Sequence, residues 1–352
     1  MKLPPSPALC AVLLLHGLPA LSGFADVLYT TDFETFSAGS DQITGTEGWI
    51  GSPTGSHFGL GLTGIDPETG HGVIGLGNAA YIGGNDAALP ASVTNSVVNV
   101  RRPVNFDPVA QNKEVVSIHC LLGIKDSTTT VGGIVQRDDF EVAILNTAGT
   151  IMGSVFFDNT TLDATLTPAE PKRTLFRGAY NGTSTLAYTA TSSVFIDEFI
   201  HALAIRINYR TSKWSAWLDG VPVFSDAAFY APSANRNLGA VAFRAFLGVT
   251  PSDRYPGNNY LLFDGLGIEA EPLPTPRITQ LIRAPNGEVS LAWDVESGYR
   301  YQVRWSPDLT NWSASLPNSL ITAGSTGTSS VFTDATAPGN PTRFYQIIRM
   351  HP

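Results

Sequence analysis

Residues 214–223 read WSAWLDGVPV, and this stretch determines the fold class that we predict for the chain. Asp219-Gly220 is one of the dipeptides that adopt the positive φ angles required by a two-residue hairpin turn. Apolar residues alternate on either side of it, which is the period of a strand with one buried face. We therefore predict an antiparallel β-hairpin, with Trp214 and Trp217 on opposite faces of its first strand because they are three residues apart.

The alternating pattern recurs along most of the chain, and no segment sustains the 3.6-residue period of a helix. Only 14% of the residues are charged, while turn-forming residues are abundant. These features predict an all-β fold of two antiparallel sheets packed face to face. The predicted strands are Val27–Phe33, Ala79–Ile82, Val97–Val104, Glu114–Ile124, Phe140–Leu145, Ile151–Phe157, Leu186–Ala190, Leu203–Tyr209, Trp214–Leu218, Ala240–Leu247 and Tyr260–Ile268.

Residues 1–25 have the features of a secretory signal peptide. One positive charge at Lys2 precedes an apolar run from Ala8 to Leu15, and small residues follow up to Ala25, where we expect cleavage. The run is far shorter than the roughly 20 residues that a membrane-spanning helix needs. We therefore predict an exported protein, secreted or held at the cell surface, with no membrane span.

Charge and cysteine content narrow the class of protein further. The net charge is −9, and no basic cluster is longer than Arg101-Arg102 or Lys172-Arg173, which argues against a nucleic-acid partner. Once a signal peptide is removed, Cys120 is the only cysteine, so core burial and not a disulfide has to stabilise the fold. Since Cys120 lies within an apolar strand, we interpret it as a small buried hydrophobe.

A proline-rich segment marks a domain boundary. Residues 271–277 read EPLPTPR, and prolines at alternate positions favour an extended connection without strand pairing. We predict a linker over 271–276 that separates a domain at 26–270 from a second β-sandwich at 277–352. Trp293, Tyr301 and Val303 are the expected core of this second domain.

Two resemblances refine this prediction. Residues 301–312 match the pattern Tyr-x-Val-x-x-Ser-x-Asp-Leu-x-x-Trp, and Phe344-Tyr345 follows, which is similar to fibronectin type III-like modules of secreted bacterial proteins. The stretches YTTDFETFSAG (29–39) and YLLFDGLGI (260–268) resemble those of secreted laminin-G-like, concanavalin A-like jelly-roll sandwiches. This second resemblance implies carbohydrate binding or cell adhesion, and in some such proteins polysaccharide cleavage.

The jelly-roll resemblance also implies a structural calcium ion. In related sandwiches an acidic side chain and a backbone carbonyl near the start of the domain join an aspartate near its end, and the matching positions are Glu34, Gly39 and Asp264. Such oxygen ligands are those that calcium prefers. The alternatives are that Asp264-Gly265 forms a plain turn or bulge and that Glu34 is a solvated strand residue.

A pair of carboxylates raises the possibility of catalysis. Asp139 and Glu141 are two apart on a predicted strand, so both point to one face, and paired carboxylates can cleave a glycosidic bond. Sandwich-type glycoside hydrolases carry Glu-x-Asp-x-x-Glu, but here the order is Asp-x-Glu and Ile144 stands where the third acid would be. We therefore interpret these residues as a polar strand face and name no catalytic residue.

Aromatic side chains are the expected means of gripping sugars, because a sugar ring stacks on an aromatic face. We select Trp214, Trp217, Tyr255 and Asn258 as the ligand-binding candidates, the last two from the loop RYPGNN (254–259). The wider set of aromatics that could be exposed also contains Trp49, Tyr180, Tyr209 and Tyr230.

The sequence thus predicts a secreted, non-catalytic binding or adhesion protein that recognises an extracellular polysaccharide or cell-surface glycan. A glycoside hydrolase or lyase that uses Asp139 and Glu141, or a His/Tyr/Arg set, is the first alternative. A structural surface module is the second.

Overall fold

The computed structural model describes residues 25–36, 39–40, 43–52, 61–63, 79–83, 97–128, 130–131, 134–159, 172–180, 186–197, 199–229, 235–246, 258–273, 275–296, 299–324, 328–338 and 343–350. This part of the chain is all-β with antiparallel pairing throughout, which confirms the predicted fold class. Its one helical turn is the 3₁₀ segment Thr46–Gly48, and no helix in it is long and apolar enough to cross a membrane. The chain divides into two compact units between Pro272 and Leu273.

The first unit is built from short and medium strands, numbered in chain order over the described residues. They are β1 Asp26–Thr31, β2 Gly39–Ser40, β3 Ile50–Ser52, β4 Gly61–Thr63, β5 Ala79–Gly83, β6 Val97–Phe106, β7 Val115–Lys125, β8 Thr130–Val131, β9 Ile134–Val135, β10 Asp139–Leu145, β11 Ile151–Phe157, β12 Lys172–Tyr180, β13 Leu186–Ile196, β14 His201–Asn208, β15 Lys213–Leu218, β16 Val221–Ala228, β17 Leu238–Phe246 and β18 Tyr260–Glu271.

Two large sheets contain nearly all of these strands. Within the described residues, one sheet has nine strands in the order β16-β15-β14-β7-β18-β5-β4-β2, with β1 also paired to β18. The other has seven strands in the order β13-β12-β11-β10-β17-β6-β3, and β8 and β9 pair separately. Strands distant in sequence are neighbours, such as β7 with β18 and β10 with β17, as in a concanavalin-like jelly-roll sandwich.

The core lies between the two sheets. Phe243 on β17 and Phe263 on β18 stack with ring centroids 3.8 Å apart and planes 7° from parallel, so each sheet contributes one ring to the same contact. Trp49 packs against both rings at 6.2 and 5.9 Å. Cys120 is buried in the same core, and its burial raises the pKa of the thiol to about 12, in agreement with its interpretation as a hydrophobe.

The predicted hairpin is confirmed. Asp219 and Gly220 have φ of 52° and 76°, and Leu218 pairs with Val221 across the turn. Trp214 points into the core with 2% exposure, where its indole lies directly over Gly153 of β11. Trp217 points to the opposite face and is half-buried. The pairing therefore follows the alternation of the sequence, and Gly153 provides the space for the indole.

The predicted strands all correspond to observed ones, and several extend further, such as β13 and β18. In the first unit, six short or irregular strands were not predicted: β2, β3, β4, β8, β9 and β12. Strand β12 reads KRTLFRGAY, in which polar and apolar residues do not alternate, so its extended structure depends on pairing with β11 and β13.

The second unit is a smaller pair of three-stranded sheets with its own core. Its described strands are β19 Ile278–Arg283, β20 Val289–Asp294, β21 Arg300–Ser306, β22 Leu320–Thr322, β23 Ser329–Asp334 and β24 Phe344–Met350. The sheets have the orders β19-β20-β23 and β22-β21-β24. Trp293, Tyr301 and Val303 are buried at its centre, as the sequence predicts.

Candidate functional site

The structure separates the four residues predicted to bind a ligand. The prediction that Trp214 binds a ligand is wrong, because its indole is buried between the sheets and offers no exposed ring for a sugar. Trp217 lies on the outer side of the nine-stranded sheet, in register with Ala204 on the neighbouring strand. Tyr255 lies outside the described residues.

Asn258 lies at one end of the sandwich, where its amide already makes hydrogen bonds. Its Oδ1 accepts from the Ser127 hydroxyl at 2.9 Å and from the Thr128 backbone N–H at 2.7 Å, and its Nδ2 donates to the Thr128 hydroxyl at 2.7 Å. These bonds tie the segment before β18 to the segment after β7. Among the other aromatic candidates, Trp49 and Tyr209 are buried, and the side chains of Tyr180 and Tyr230 fall outside the described part.

Of the predicted calcium ligands, Glu34 and Asp264 lie close enough for their charges to interact. Burial raises the pKa of Asp264 to about 6, and the nearby charges of Glu34 and Asp32 act in the same direction. The Asp264 carboxylate accepts the Gly265 N–H at 2.6 Å within a bulge where Gly265 has φ of 56°. The backbone of Gly39 belongs to β2. In the described chain, no three His, Cys, Asp or Glu side chains are grouped closely enough to hold a metal ion.

A more developed polar site occupies the face of the seven-stranded sheet that points away from the core, which we call the outer face. Asp139 and Glu141 both lie on it, as the spacing predicts. Their neighbours Phe140 and Val142 point to the other face, into the core. The polar strand face is present as predicted, but Glu141 on it is not solvated, since its exposure is 0%. Its carboxylate is buried because long side chains from three other strands surround it.

The first of these side chains is Arg244 on β17, directly opposite Glu141 on β10. Its Nη1 donates to Glu141 Oε2 in an ion pair, and its side chain is 19% exposed, so one partner is buried and the other reaches solvent. Burial raises the pKa of Glu141, whereas the positive charge of Arg244 opposes that rise. The pair thus keeps a carboxylate in a position where burial alone would favour its neutral form.

Aromatic rings from β11, β13 and β17 complete the cluster. Tyr188 donates its hydroxyl to Glu141 Oε1 at 3.4 Å, and its ring lies 4.3 Å from that of Phe156. Phe156 contacts Phe246 at 5.5 Å, and the Arg244 guanidinium lies 4.9 Å from the Phe246 ring centre. Burial and the neighbouring Glu141 raise the pKa of Tyr188 far above its usual range, so the phenol stays protonated. All three rings are half-buried and present part of their surface.

Strand register places a row of small residues beside this cluster, which we call the floor, and its side chains at Ser154, Ala143 and Ala242 are fully buried. One row across the sheet runs from Tyr188 through Gly178, Ser154, Ala143 and Ala242 to Arg101 on β6, and Ile50 on the edge strand β3 follows. The next row runs from Phe156 through Glu141 and Arg244 to Asn99. A large aromatic side chain therefore stands at one end of the floor and a long cation at the other, with the ion pair along one side.

Sequence analysis identified Asp139 and Glu141 but not Tyr188, Phe156, Phe246, Arg244 or Arg101 as members of one site. The period-2 pattern places Phe156 and Glu141 each on the polar side of its strand. It does not indicate which strands are neighbours, and Glu141 and Arg244 are 103 residues apart in sequence. The signal that could have drawn attention to Arg244 and Phe246 is their alternation with core residues in β17.

Comparisons with known proteins add no function to this geometry. No family model matches the chain, and no curated protein matches it. Among solved structures, a sialidase aligns over 66% of this chain and 18% of its own, at 10% identity and a TM-score of 0.37. The chain therefore spans less than a fifth of that sialidase.

Two further structures align over most of their own length. The CBM2 module of the Lactobacillus casei BL23 phage J-1 evolved Dit aligns over 71% of this chain and 98% of its own, at 13% identity and a TM-score of 0.37. A mutant of alginate lyase Aly36B, in complex with alginate tetrasaccharide, aligns over 70% and 96%, at 11% identity and a TM-score of 0.37. Carbohydrate-binding modules and alginate lyases are thus both present among the similar structures, and the fold assignment rests on the strand pairing described above.

Proposed function

We propose that this protein is an exported carbohydrate-binding protein whose ligand site is the outer face of the seven-stranded sheet. The observation that carries the proposal is the packing of Tyr188, Phe156 and Phe246 around the Glu141–Arg244 ion pair. Half-buried aromatic rings offer the apolar surface on which the C–H face of a sugar stacks. The charged pair beside them offers donors and acceptors for sugar hydroxyls.

The rigidity of this cluster supports binding with little entropic cost. Glu141 is held by Arg244 and by the Tyr188 hydroxyl, and Tyr188 is held by Phe156, so each polar group has a fixed position before a ligand arrives. A preorganised site loses less side-chain freedom on binding than a mobile one. The polar groups also lie on paired strands, which hold side chains more firmly than a loop does.

A polysaccharide-cleaving enzyme is the second candidate function. It is favoured by the presence of Asp139 and Glu141 on one face, with Tyr188 and Arg244 in contact with Glu141. Against it, the Glu141 carboxylate is fully buried and bonded to Arg244 and Tyr188, so a substrate cannot reach it without displacing them. The raised pKa of Tyr188 keeps its phenol protonated near neutral pH, so Tyr188 is a poor general base there. We therefore prefer binding without cleavage.

The remaining parts of the proposal concern the setting of this site. We propose that residues 1–25 direct export, that the first domain is laminin-G-like, and that the second unit is a fibronectin III-like module in an adhesion protein. We also propose a structural calcium ion held by Glu34, Asp264 and the Gly39 carbonyl. A protein with neither glycan binding nor cleavage would instead be a structural surface module.

A glycan array followed by polysaccharide pull-down, with an assay for new reducing or unsaturated ends, tests the proposal. We expect binding without new ends, and loss of most binding in Tyr188→Ala. Phe199→Ala is the matched control, because Phe199 is 52% exposed and none of the described contacts of the cluster involves it. Cleavage that disappears in Glu141→Gln and in Asp139→Asn would make the protein an enzyme. Binding that is unchanged in Tyr188→Ala would place the ligand elsewhere.

A further inference from the structure

We infer that the outer face takes an acidic glycan and that Arg101 receives its anionic group; this inference rests on the proposed function. Arg101 on β6 pairs in register with Ala242, and Ala242 lies on the outer face. Its neighbours along the strand, Val100 and Val98, are core residues, so the side chain of Arg101 points away from the core. It is half-buried and therefore accessible.

Arg101 carries a charge that the described structure does not neutralise. Within the described part of the chain, its guanidinium makes no hydrogen bond or ion pair, in contrast to Arg244, Arg210 and Arg137, which each pair with a carboxylate. A guanidinium has five N–H donors and stays protonated at all relevant pH values. Of the two arginines that border the floor of small residues, one is thus paired and the other is available.

The position of Arg101 relative to Arg244 favours a ligand with an anionic group. Arg244 lies opposite Asn99 while Arg101 lies opposite Ala242, so the two arginines occupy diagonal positions on neighbouring strands. Diagonal positions are roughly 7–8 Å apart between Cα atoms, within reach of long side chains. Glu141 pairs with Arg244, and Asp139, the other carboxylate that we place on this face, lies two residues further along β10 from the row of Arg101 than Glu141 does. The charge of Arg101 therefore has no counter-ion within the described residues. A carboxylate or sulfate on a ligand would balance that charge, and a guanidinium binds either group through two parallel hydrogen bonds.

The distance between the aromatic end and Arg101 sets the size of the ligand. The row from Tyr188 to Arg101 crosses β12, β11, β10 and β17, and the step from β11 to β6 alone is three strand spacings, or about 14 Å. A single sugar ring is shorter than this. A ligand that stacks on Phe156 or Tyr188 and also reaches Arg101 is therefore an oligosaccharide, with an acidic group displaced from the stacked ring.

Calorimetric titration of the full protein with three soluble polymers tests this inference. The polymers are a polyuronate, the same polymer with its carboxyl groups reduced to neutral alcohols, and a sulfated neutral polysaccharide. We expect at least one acidic polymer to bind more tightly than the neutral one, and Arg101→Gln to weaken that binding about tenfold, as for loss of a charge-assisted hydrogen bond. The preferred acidic polymer identifies the group as carboxylate or sulfate.

Control variants separate the possible failures. Arg283→Gln removes an exposed arginine of the second unit and should leave binding unchanged. Thermal melting of Arg101→Gln should match the unaltered protein, since the side chain makes no bond within the described fold. Equal affinity for neutral and acidic polymers would overturn the acidic preference and leave the proposed function standing. An acidic preference that Arg101→Gln does not change would overturn the role of Arg101 and would also leave the proposed function standing. Absence of binding to every polymer would overturn both proposals.

Discussion

Glu141 and Arg244 lie directly opposite each other on β10 and β17, and they form an ion pair in which the carboxylate is fully buried and the guanidinium reaches solvent. A buried carboxylate is costly unless a cation and hydrogen bonds compensate it. Arg244 and the Tyr188 hydroxyl supply this compensation. The pair therefore links the stability of the seven-stranded sheet to the integrity of the candidate site.

Removal of Arg244 should destabilise the fold in a pH-dependent manner. In Arg244→Gln, we expect a loss of about 3 kcal/mol near neutral pH, because Glu141 would remain buried without its cation. Burial already raises the pKa of Glu141, and the raised value would rise further without Arg244. A raised acid pKa means that the folded state binds the proton more tightly than the unfolded state, so its contribution to stability is present at low pH and is lost as pH rises through the folded pKa.

Urea denaturation of Arg244→Gln between about pH 4 and pH 8 measures this effect. The deficit relative to the unaltered protein should shrink toward acid pH. The double variant Glu141→Gln/Arg244→Gln should lose less stability than Arg244→Gln alone, since it contains no buried charge. A deficit that is constant over this pH range would contradict the account.

His201, a basic residue, should also make a pH-dependent contribution to the stability of the fold. Its Nδ1 lies 2.7 Å from Asp219 Oδ2, and its Nε2 lies 3.0 Å from the Ile196 carbonyl, so both ring nitrogens have acceptors. Burial alone lowers the pKa of His201, but these bonds outweigh it and leave the pKa raised. The contribution is therefore complete below the ordinary histidine pKa of about 6.5 and is lost as pH rises through the folded value.

Asp219 sets the acid limit of the same contact. Burial acts to raise its pKa, but the bonds from His201 and the Ala202 N–H lower it overall, so its contribution is lost as pH falls through that lowered value. Denaturation of His201→Gln should show its largest deficit between the two limits, in the mildly acid range. A deficit that is greater at pH 9 than at pH 6 would rule out protonated His201 as the stabilising form.

Gly153→Ala tests the contact between the two sheets. A Cβ at residue 153 would lie 2.4 Å from Trp214 Cε2, so the indole or the strand would have to move. We expect a loss of about 1–3 kcal/mol, the usual cost of overpacking a core. Gly324→Ala is the matched control, because nothing lies within 4 Å of a Cβ there. Equal midpoints of thermal unfolding for the two variants would mean that Trp214 adjusts without cost.

Calcium should raise the unfolding temperature if Glu34, Asp264 and the Gly39 carbonyl hold it, because a ligand that binds the folded state stabilises it by mass action. The effect should be absent in Asp264→Asn and reversed by chelator in the unaltered protein. In chelator, Asp264→Asn should be at least as stable as the unaltered protein, since burial and then the charges of Glu34 and Asp32 disfavour ionised Asp264. An unfolding temperature that calcium does not change would exclude this ion as a structural ligand.

The sequence by itself determined the fold class, the hairpin at Asp219-Gly220 and the positions of the longer strands. These features depend on local properties: two residues with positive φ, and an alternation of apolar and polar residues that any buried strand face requires. It also placed Asp139 and Glu141 on one strand face, because the side-chain period of a strand needs no knowledge of neighbours.

Only the tertiary structure decided what surrounds those carboxylates. The site combines side chains of β6, β10, β11, β13 and β17, and strand order and register bring them together across more than one hundred residues of sequence. The same order placed Trp214 over Gly153 in the core and Arg101 beside Ala242 on the outer face. Pairing between distant strands is set by the packing of both sheets on a shared core, a property of the whole chain that no local pattern contains.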